Sequence, residues 1–317
     1  MRWLAILCLA ALLLLPPFSG SYAVTLATLI FFYAYLGQAW NILGGYAGQL
    51  SVGHAAFVGI GAYVTAVLSL SWGVTPWIGM FAGAAAAAAL GAVTGFLGFR
   101  FRLRGFYFVL LTVAFAEICR IVALNTDAIG GAVGLYITFT GDPRQFQFQN
   151  PRAYYYIALG LMLSATAVVW TVERSRLGAY LIAIREDEEA AEALGIDTFR
   201  CKLYASVLSA FLTGLGGAFH AFYYFSLQPN SLFGIPLSVE IIIRPIVGGA
   251  GTLLGPILGS FILSPLAELS RTYFAAAGWS GAHLIAYGAL LVAVVLFLPQ
   301  GAYPYLARFA RRSRASG

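Results

Sequence analysis

The sequence predicts an all-α fold, a polytopic transmembrane helical bundle of about ten spans, some short or broken, with both termini cytoplasmic. Three observations carry this expectation. Hydrophobic residues make up 61% of the 317 residues and charged residues only 9%, where a soluble protein carries about 25% charged residues. Apolar runs of span length recur along most of the chain, and the basic residues gather in alternate connections between them. The 36 glycines agree with this, because glycine is frequent in membrane helices. The composition excludes a disordered, collagen-like or disulfide-rich secreted chain.

A helix crossing the hydrocarbon core needs about 20 mostly apolar residues at about 1.5 Å rise each. The candidate spans are 3–18, 22–42, 51–70, 76–98, 105–124, 153–172, 203–226, 235–249, 252–270 and 281–298. The first ends at Pro16-Pro17, and the eighth is interrupted by Pro236 and Pro245. The count falls to about eight or nine if short segments are re-entrant. Residues 1–23 also fit a cleavable signal sequence, with Arg2, an apolar run and the small-residue stretch Ser19–Ala23. A first span is favoured because further spans follow at once, and the alternative stays open.

Arginine and lysine set the orientation. With the N-terminus inside, alternate crossings bring 13 of the 18 basic residues to the cytoplasm. They are Arg2, then Arg100, Arg102 and Arg104, then Arg174, Arg176, Arg185, Arg200 and Lys202, then Arg308, Arg311, Arg312 and Arg314. Arg144, Arg152 and Arg271 fall outside, while Arg120 and Arg244 lie within or near helices. The net charge of +6 therefore reports topology, and nucleic acid is not an expected partner. An outer hydrophilic loop, 125–152, and an inner one, 173–202, are too short for a soluble domain. The chain reads as one membrane domain over 1–317 with a basic tail at 303–317.

Catalytic and metal chemistry find no support. Cys8, Cys119 and Cys201 are scattered, and His54, His220 and His283 lack ligand spacing. A P-loop needs a glycine-rich turn ending in lysine, yet the one lysine, Lys202, stands between Cys201 and Leu203. No cofactor is expected in this chain. Any ATP and Mg would be held by partner chains.

The inner loop carries the sharpest signal. Glu186 to Leu194 are mostly good helix formers, acids crowd the start, and Gly195 is a natural stop. Ala190, Ala191 and Ala193 permit close approach, and Leu194 and Ile196 offer an apolar contact. Most such helices are solvated connectors. A short amphipathic helix on the inner side of a loop-poor protein favours docking instead.

Glu189-Ala190-Ala191 with Gly195 resembles the EAA motif of ABC importer permeases, without the Leu-Pro that follows in many of them. Asn41–Ala55, which reads Asn-Ile-Leu-Gly-Gly-Tyr-Ala-Gly-Gln-Leu-Ser-Val-Gly-His-Ala, resembles the signature of branched-chain amino-acid ABC permeases. So do Leu103–Phe108 with Phe115–Ile118, Gly130–Leu135, Ser238–Glu240, Val247–Thr252 and Gly255-Pro256. Together they cover roughly residues 37–300 and are most similar to the LivM-type subunit. Arg244 departs from the apolar residue expected there.

The resemblance implies an ATP-driven importer subunit in the bacterial cytoplasmic membrane. Its implied partners are two ATPase subunits, a homologous second permease, an external amino-acid-binding protein, either periplasmic or lipid-anchored, and membrane lipid. It also implies coupling to the ATPases through Arg185, Asp187, Glu189, Ala190, Ala191 and Gly195. The implied substrates are leucine, isoleucine and valine, with urea or amides as alternatives. A stand-alone secondary transporter or channel is the rival function. An intramembrane enzyme lacks any convergent constellation.

Gly44, Gly45, Gly48 and Gly53 thin or break a helix at membrane depth, which is tolerable only where backbone is buried in protein or faces a watery cavity. Packing is the favoured role for these glycines. Gln49, Ser51 and His54 are candidates to line a translocation path, as polar groups within a membrane. Two charge pairs, Glu117 with Arg120 and Glu240 with Arg244, have helical spacing that favours local neutralisation. Glu240 joins the path candidates because it sits beside the later glycine-rich run.

Overall fold

The computed structural model describes residues 12–17 and 20–276, with the isolated positions 288, 292 and 301–303. The expected last span at 281–298 lies almost wholly outside the described residues. So do most of 3–18, with its signal-sequence alternative, and nearly all of the basic tail.

Eleven helices are described: α1 (Ser21–Asn41), α2 (His54–Trp72), α3 (Pro76–Arg100), α4 (Phe106–Leu124), α5 (Pro151–Arg174), α6 (Arg176–Glu186), α7 (Glu188–Ala193), α8 (Thr198–Tyr224), α9 (Pro229–Leu232), α10 (Ile235–Gly248) and α11 (Gly255–Ala276). A two-residue antiparallel ribbon pairs β1 (Leu135–Tyr136) with β2 (Ser226–Leu227). Prolines open α3, α5 and α10, where their missing N–H is not needed. Pro236 therefore starts α10 rather than interrupting it, and the helix continues past Pro245 to Gly248.

Seven segments among the described residues are long and apolar enough to cross a membrane, and they match the second to eighth expected spans. The ninth, 252–270, forms the 22-residue α11, in which Ser260, Ser264, Pro265 and Glu268 dilute the apolar run. The outer surface bears Phe81, Phe96, Phe106, Ile118, Ile121 and Val122. Bands of large exposed apolar side chains over continuous helices suit a lipid solvent, and the chain is a multi-pass membrane protein.

α8 is the central helix. The apolar window of its span is 72% buried, against 22% for α4 on the periphery. α2 and α3 pack on α8, while α5, α10 and α11 pack around α1. A Cβ at Gly61 would stand 2.1 Å from the Gly214 carbonyl oxygen, so glycine alone permits this crossing of α2 and α8. Phe31, Phe32, Tyr154, Tyr155, Phe219 and Phe222 fill the core between α1, α5 and α8.

The bundle has two chemically distinct ends. At one, the 125–150 segment packs down: Trp77 Nε1 donates to the Pro143 carbonyl at 3.0 Å, and Ser69 bonds Gln145 at 3.1 Å. At the other, the end of α3, the start of α4, and the run from the end of α5 to the start of α8 meet. They gather Arg100, Arg102, Arg104, Arg174, Arg176, Arg185, Arg200 and Lys202. This is the basic end of the bundle.

The 173–202 segment is a succession of helices rather than a loop. The single helix expected from Glu186 to Leu194 is divided at Asp187, whose backbone is extended. The Asp187 carboxylate accepts from the Glu189 and Ala190 amides, each at 3.0 Å. Aspartate offers this local cap more readily than a place inside a helix, so Glu186 and Arg185 belong to α6.

Candidate functional site at the basic end

α7 is held to the bundle by one face and free on the other. Glu188 pairs with Lys202 and lies 3.4 Å from Arg104. Glu192 accepts from the Thr198 hydroxyl at 2.8 Å and reaches Arg102 at 3.9 Å. Ala191 is buried beneath the helix. Glu189, Ala190 and Ala193 face outward, and Leu194 is 82% exposed. The Arg104 guanidinium, bonded to Glu189 at 3.2 Å, is held above its ordinary pKa by that bond and by Glu188. Gly195 ends the helix with φ +85°, a left-handed turn that favours glycine.

Sequence reasoning missed Lys202 and Glu188 as the anchor of α7. The available signal was a lone lysine, Lys202, fourteen residues from Glu188 on the far side of α7. The Lys202 side chain is only 4% exposed and its ammonium lies 5.1 Å from the centre of the Phe99 ring. Removing one partner of a buried pair costs about 3 kcal/mol. Lys202→Met is therefore expected to release α7, with the 188–193 amides exchanging hydrogen markedly faster. Unchanged exchange would show that Ala191 packing alone holds the helix.

The helix break lies directly above α6. Ile42–Tyr46 form a π-helical turn closed by Ala47 N–H to Ile42 O at 3.3 Å. An irregular segment then leads on to α2. Side chains meet its backbone groups: Arg185 Nη1 on α6 donates to Gly45 O at 3.1 Å and Trp40 Nε1 on α1 to Ser51 O at 2.9 Å. Val52 N–H donates to Thr112 Oγ1 at 3.1 Å and Ala55 N–H to Ser238 Oγ at 3.0 Å. Ile42, Leu43, Gly45–Ala47 and Ser51 are buried in protein, one of the two conditions for irregular backbone at this depth, while Gly48 and Leu50 are exposed.

The second glycine-rich run joins the first. Asn41 accepts from Gly251 N–H at 2.7 Å and donates to Thr252 O at 3.0 Å, while Gln38 donates to Leu253 O at 2.7 Å. A Cβ at Gly45 would come within 1.9 Å of Asn41 Oδ1 and 2.5 Å of the Gly251 nitrogen. Glycine is required here for close approach. Arg185 rests on Gly48 and Gly251, where added Cβ atoms would lie 2.7 Å from its Cγ and 2.3 Å from its Nη1. Glu186 orients the guanidinium through bonds of 2.7 and 3.1 Å.

The path candidates are dispersed. Gln49 is half-buried and bonds the Ala47 carbonyl at 3.2 Å. Ser51 and His54 are buried in one network: Ser51 Oγ to His54 Nδ1 at 2.9 Å, and His54 Nε2 to Ser209 Oγ at 2.9 Å. Ser209 Oγ gives its proton to the Ala39 carbonyl at 2.7 Å. His54 must then donate from Nε2 and accept at Nδ1 from Ser51. This chain ties the break to α1 and α8. His54→Leu leaves the Ser51 hydroxyl without its acceptor at a cost of about 2 kcal/mol. The variant is expected to melt several degrees lower in detergent, and an unchanged midpoint would show the network to be dispensable.

Glu240 lies elsewhere, on α10. Its pairing with Arg244 is loose, at 4.0 Å between Nη2 and Oε2. Arg244, 2% exposed, donates to the Glu240 carbonyl, reaches Ser264 Oγ at 3.4 Å, and places its Cζ 3.6 Å from the centre of the Tyr33 ring. The unexpected arginine is thus seated among α1, α10 and α11. Glu117 and Arg120 do pair locally, with Arg120 Nε 2.9 Å from Glu117 Oε2.

Known proteins place this arrangement. Residues 22–298 match the family described as branched-chain amino acid transport system / permease component. The chain is 31% identical to the high-affinity branched-chain amino acid transport system permease protein LivM of Escherichia coli K12, over 94% of this chain and 75% of that protein. It is 24% identical to the probable branched-chain amino acid transport permease protein LivH of Methanocaldococcus jannaschii, over 76% of this chain and 79% of that protein. Identity is also 24% to the ribose import permease protein RbsC of E. coli, over 68% and 66%. No solved structure matches. With a family match across most of its length and LivM as a similar relative, this chain belongs to the branched-chain amino-acid transport permeases, in their LivM-type branch.

Proposed function

We propose that this chain is the transmembrane permease subunit of an ATP-driven importer that carries leucine, isoleucine and valine across the bacterial cytoplasmic membrane. The observation that carries the reading is the junction at the basic end. α7 presents Glu189, Ala190, Ala193 and Leu194 outward, while the helix before it sends Arg185 into the seam between both glycine-rich breaks. A load applied to α7 has a short route to irregular backbone at membrane depth.

In this reading the basic end faces the cytoplasm, as the distribution of arginine favours. Two ATPase subunits supply nucleotide chemistry, with Mg, and one docks on α7. A second, homologous permease completes the pathway, and an external binding protein delivers substrate at the 125–152 end. ATP binding need only stabilise one conformation of the pair over another. Asp187 and Gly195 set the ends of the docking helix. Ser51 and His54 hold the break, and Gln49 and Glu240 remain the polar groups offered to the pathway.

The test is reconstitution of the permease pair with its ATPases and binding protein in proteoliposomes. ATP-dependent uptake of the three branched-chain amino acids, in preference to urea and amides, is expected. Uptake by this chain alone, driven by an ion gradient, would contradict the proposal.

A further inference from the structure

Two adjoining depressions at the basic end lie beside the coupling helix. The first is a cavity of about 380 Å³ lined by Arg100, Arg102 and Lys202 together with Glu188, Glu192 and Thr198. The second, about 370 Å³, is lined only by Ala92, Val93, Phe96, Leu97 and Leu203. Phe96 belongs to both, and its ring meets Phe199 edge-on at 5.8 Å between centroids. Polar groups thus lie at the end of α3 and just beyond it, on α7, and along the start of α8. Apolar groups continue one to two turns deeper between the same helices.

The acids in the first cavity are already engaged. Glu188 serves Lys202 and Arg104, and Glu192 accepts from Thr198 and faces Arg102. Arg100 is exposed and makes no ion pair or hydrogen bond among the described residues. Arg102 is held by one contact at 3.9 Å with its side chain 75% exposed. Positive charge is left over at the level of a membrane–water interface, directly above an apolar groove. Basic pockets between membrane helices bind acidic lipid headgroups in this way.

We propose that one anionic phospholipid of the leaflet at the basic end occupies these two depressions. Its phosphodiester sits on Arg100 and Arg102, and one acyl chain runs past Phe96 along Val93, Leu97 and Leu203. The apolar groove favours lipid over an acidic surface of a soluble ATPase, which has nothing to place at Val93. Because Glu188 and Glu192 line the headgroup cavity, the lipid touches the face by which α7 is anchored.

The assembled transporter, carrying its ATPases, would be exchanged into nanodiscs of phosphatidylcholine with a minor fraction of phosphatidylglycerol. Lipid retained after extraction would be read by native mass spectrometry. Wild type is expected to keep phosphatidylglycerol over phosphatidylcholine, with retention falling about fivefold or more in the Arg100→Gln, Arg102→Gln double variant. Val93→Trp, which fills the groove without altering charge, is expected to lower retention as well. Both changes are at exposed positions, and an unchanged thermal midpoint checks folding. Equal retention by wild type and both variants would overturn the proposal. So would equal retention of phosphatidylcholine, displacement by inorganic phosphate alone, or binding seen only after the ATPases are stripped away.

Discussion

Gly195→Pro is expected to lower ATP-driven uptake at least about 100-fold while the protein still inserts in the membrane. Gly195 has φ +85° and its N–H donates to the Glu192 carbonyl at 2.9 Å. Proline fixes φ near −65° and has no N–H, so the helix end cannot form, at a local cost of about 3 kcal/mol. Leu194 and Glu189 would leave the positions from which, in the proposed function, they meet an ATPase. Gly195→Ala must still adopt positive φ but keeps the amide, at a cost of about 1 kcal/mol, and is expected to retain partial uptake. Glu189→Arg and Leu194→Asp test the same contact without disturbing the backbone. ATPase subunits should no longer co-purify with any of the three severe variants, and normal uptake by Gly195→Pro and Glu189→Arg would defeat the assignment.

Arg185→Gln is expected to give a different failure. Arg185 stands on α6, so α7 stays anchored through Glu188, Ala191 and Glu192 and the ATPases still bind. The substitution removes the donor to Gly45 O and the guanidinium that rests against Gly251. An unsatisfied buried carbonyl costs about 2 kcal/mol, which loosens the seam. ATP hydrolysis should persist while uptake falls about tenfold, so that more ATP is consumed per substrate carried. Parallel loss of both activities would mean that Arg185 supports ATPase docking rather than transmission.

The contrast between these variants follows from what the sequence reveals. Seven spans, the segregation of arginines to one end and a short acidic helix before Gly195 are legible because each depends on neighbours along the chain: apolar runs, charge clusters, a terminal glycine. The division of that helix at Asp187 is also local, yet strong helix formers on either side conceal it. Arg185 meeting Gly45 is another matter, since 140 residues separate them. Nothing in either segment announces the other. The seat of Arg244 needs Tyr33 and Ser264 from two other helices, so its spacing to Glu240 suggested a simple pair and missed the larger set. Asn41 is legible as the start of the Asn41–Ala55 segment, and Ser209 carries no sequence signal; their partners emerge from the packing of α1 against α8 and of both glycine-rich runs against each other.

The most direct measurement is a photo-crosslinker placed at Leu194 in membranes that hold the assembled transporter, with Val122 on the lipid-facing surface of α4 as the control position. Illumination is predicted to give an adduct of the permease with the ATPase subunit from position 194 and none from position 122. An adduct at 194 only with lipid, or with a protein outside the cell membrane, would contradict the claim that force reaches this chain through α7.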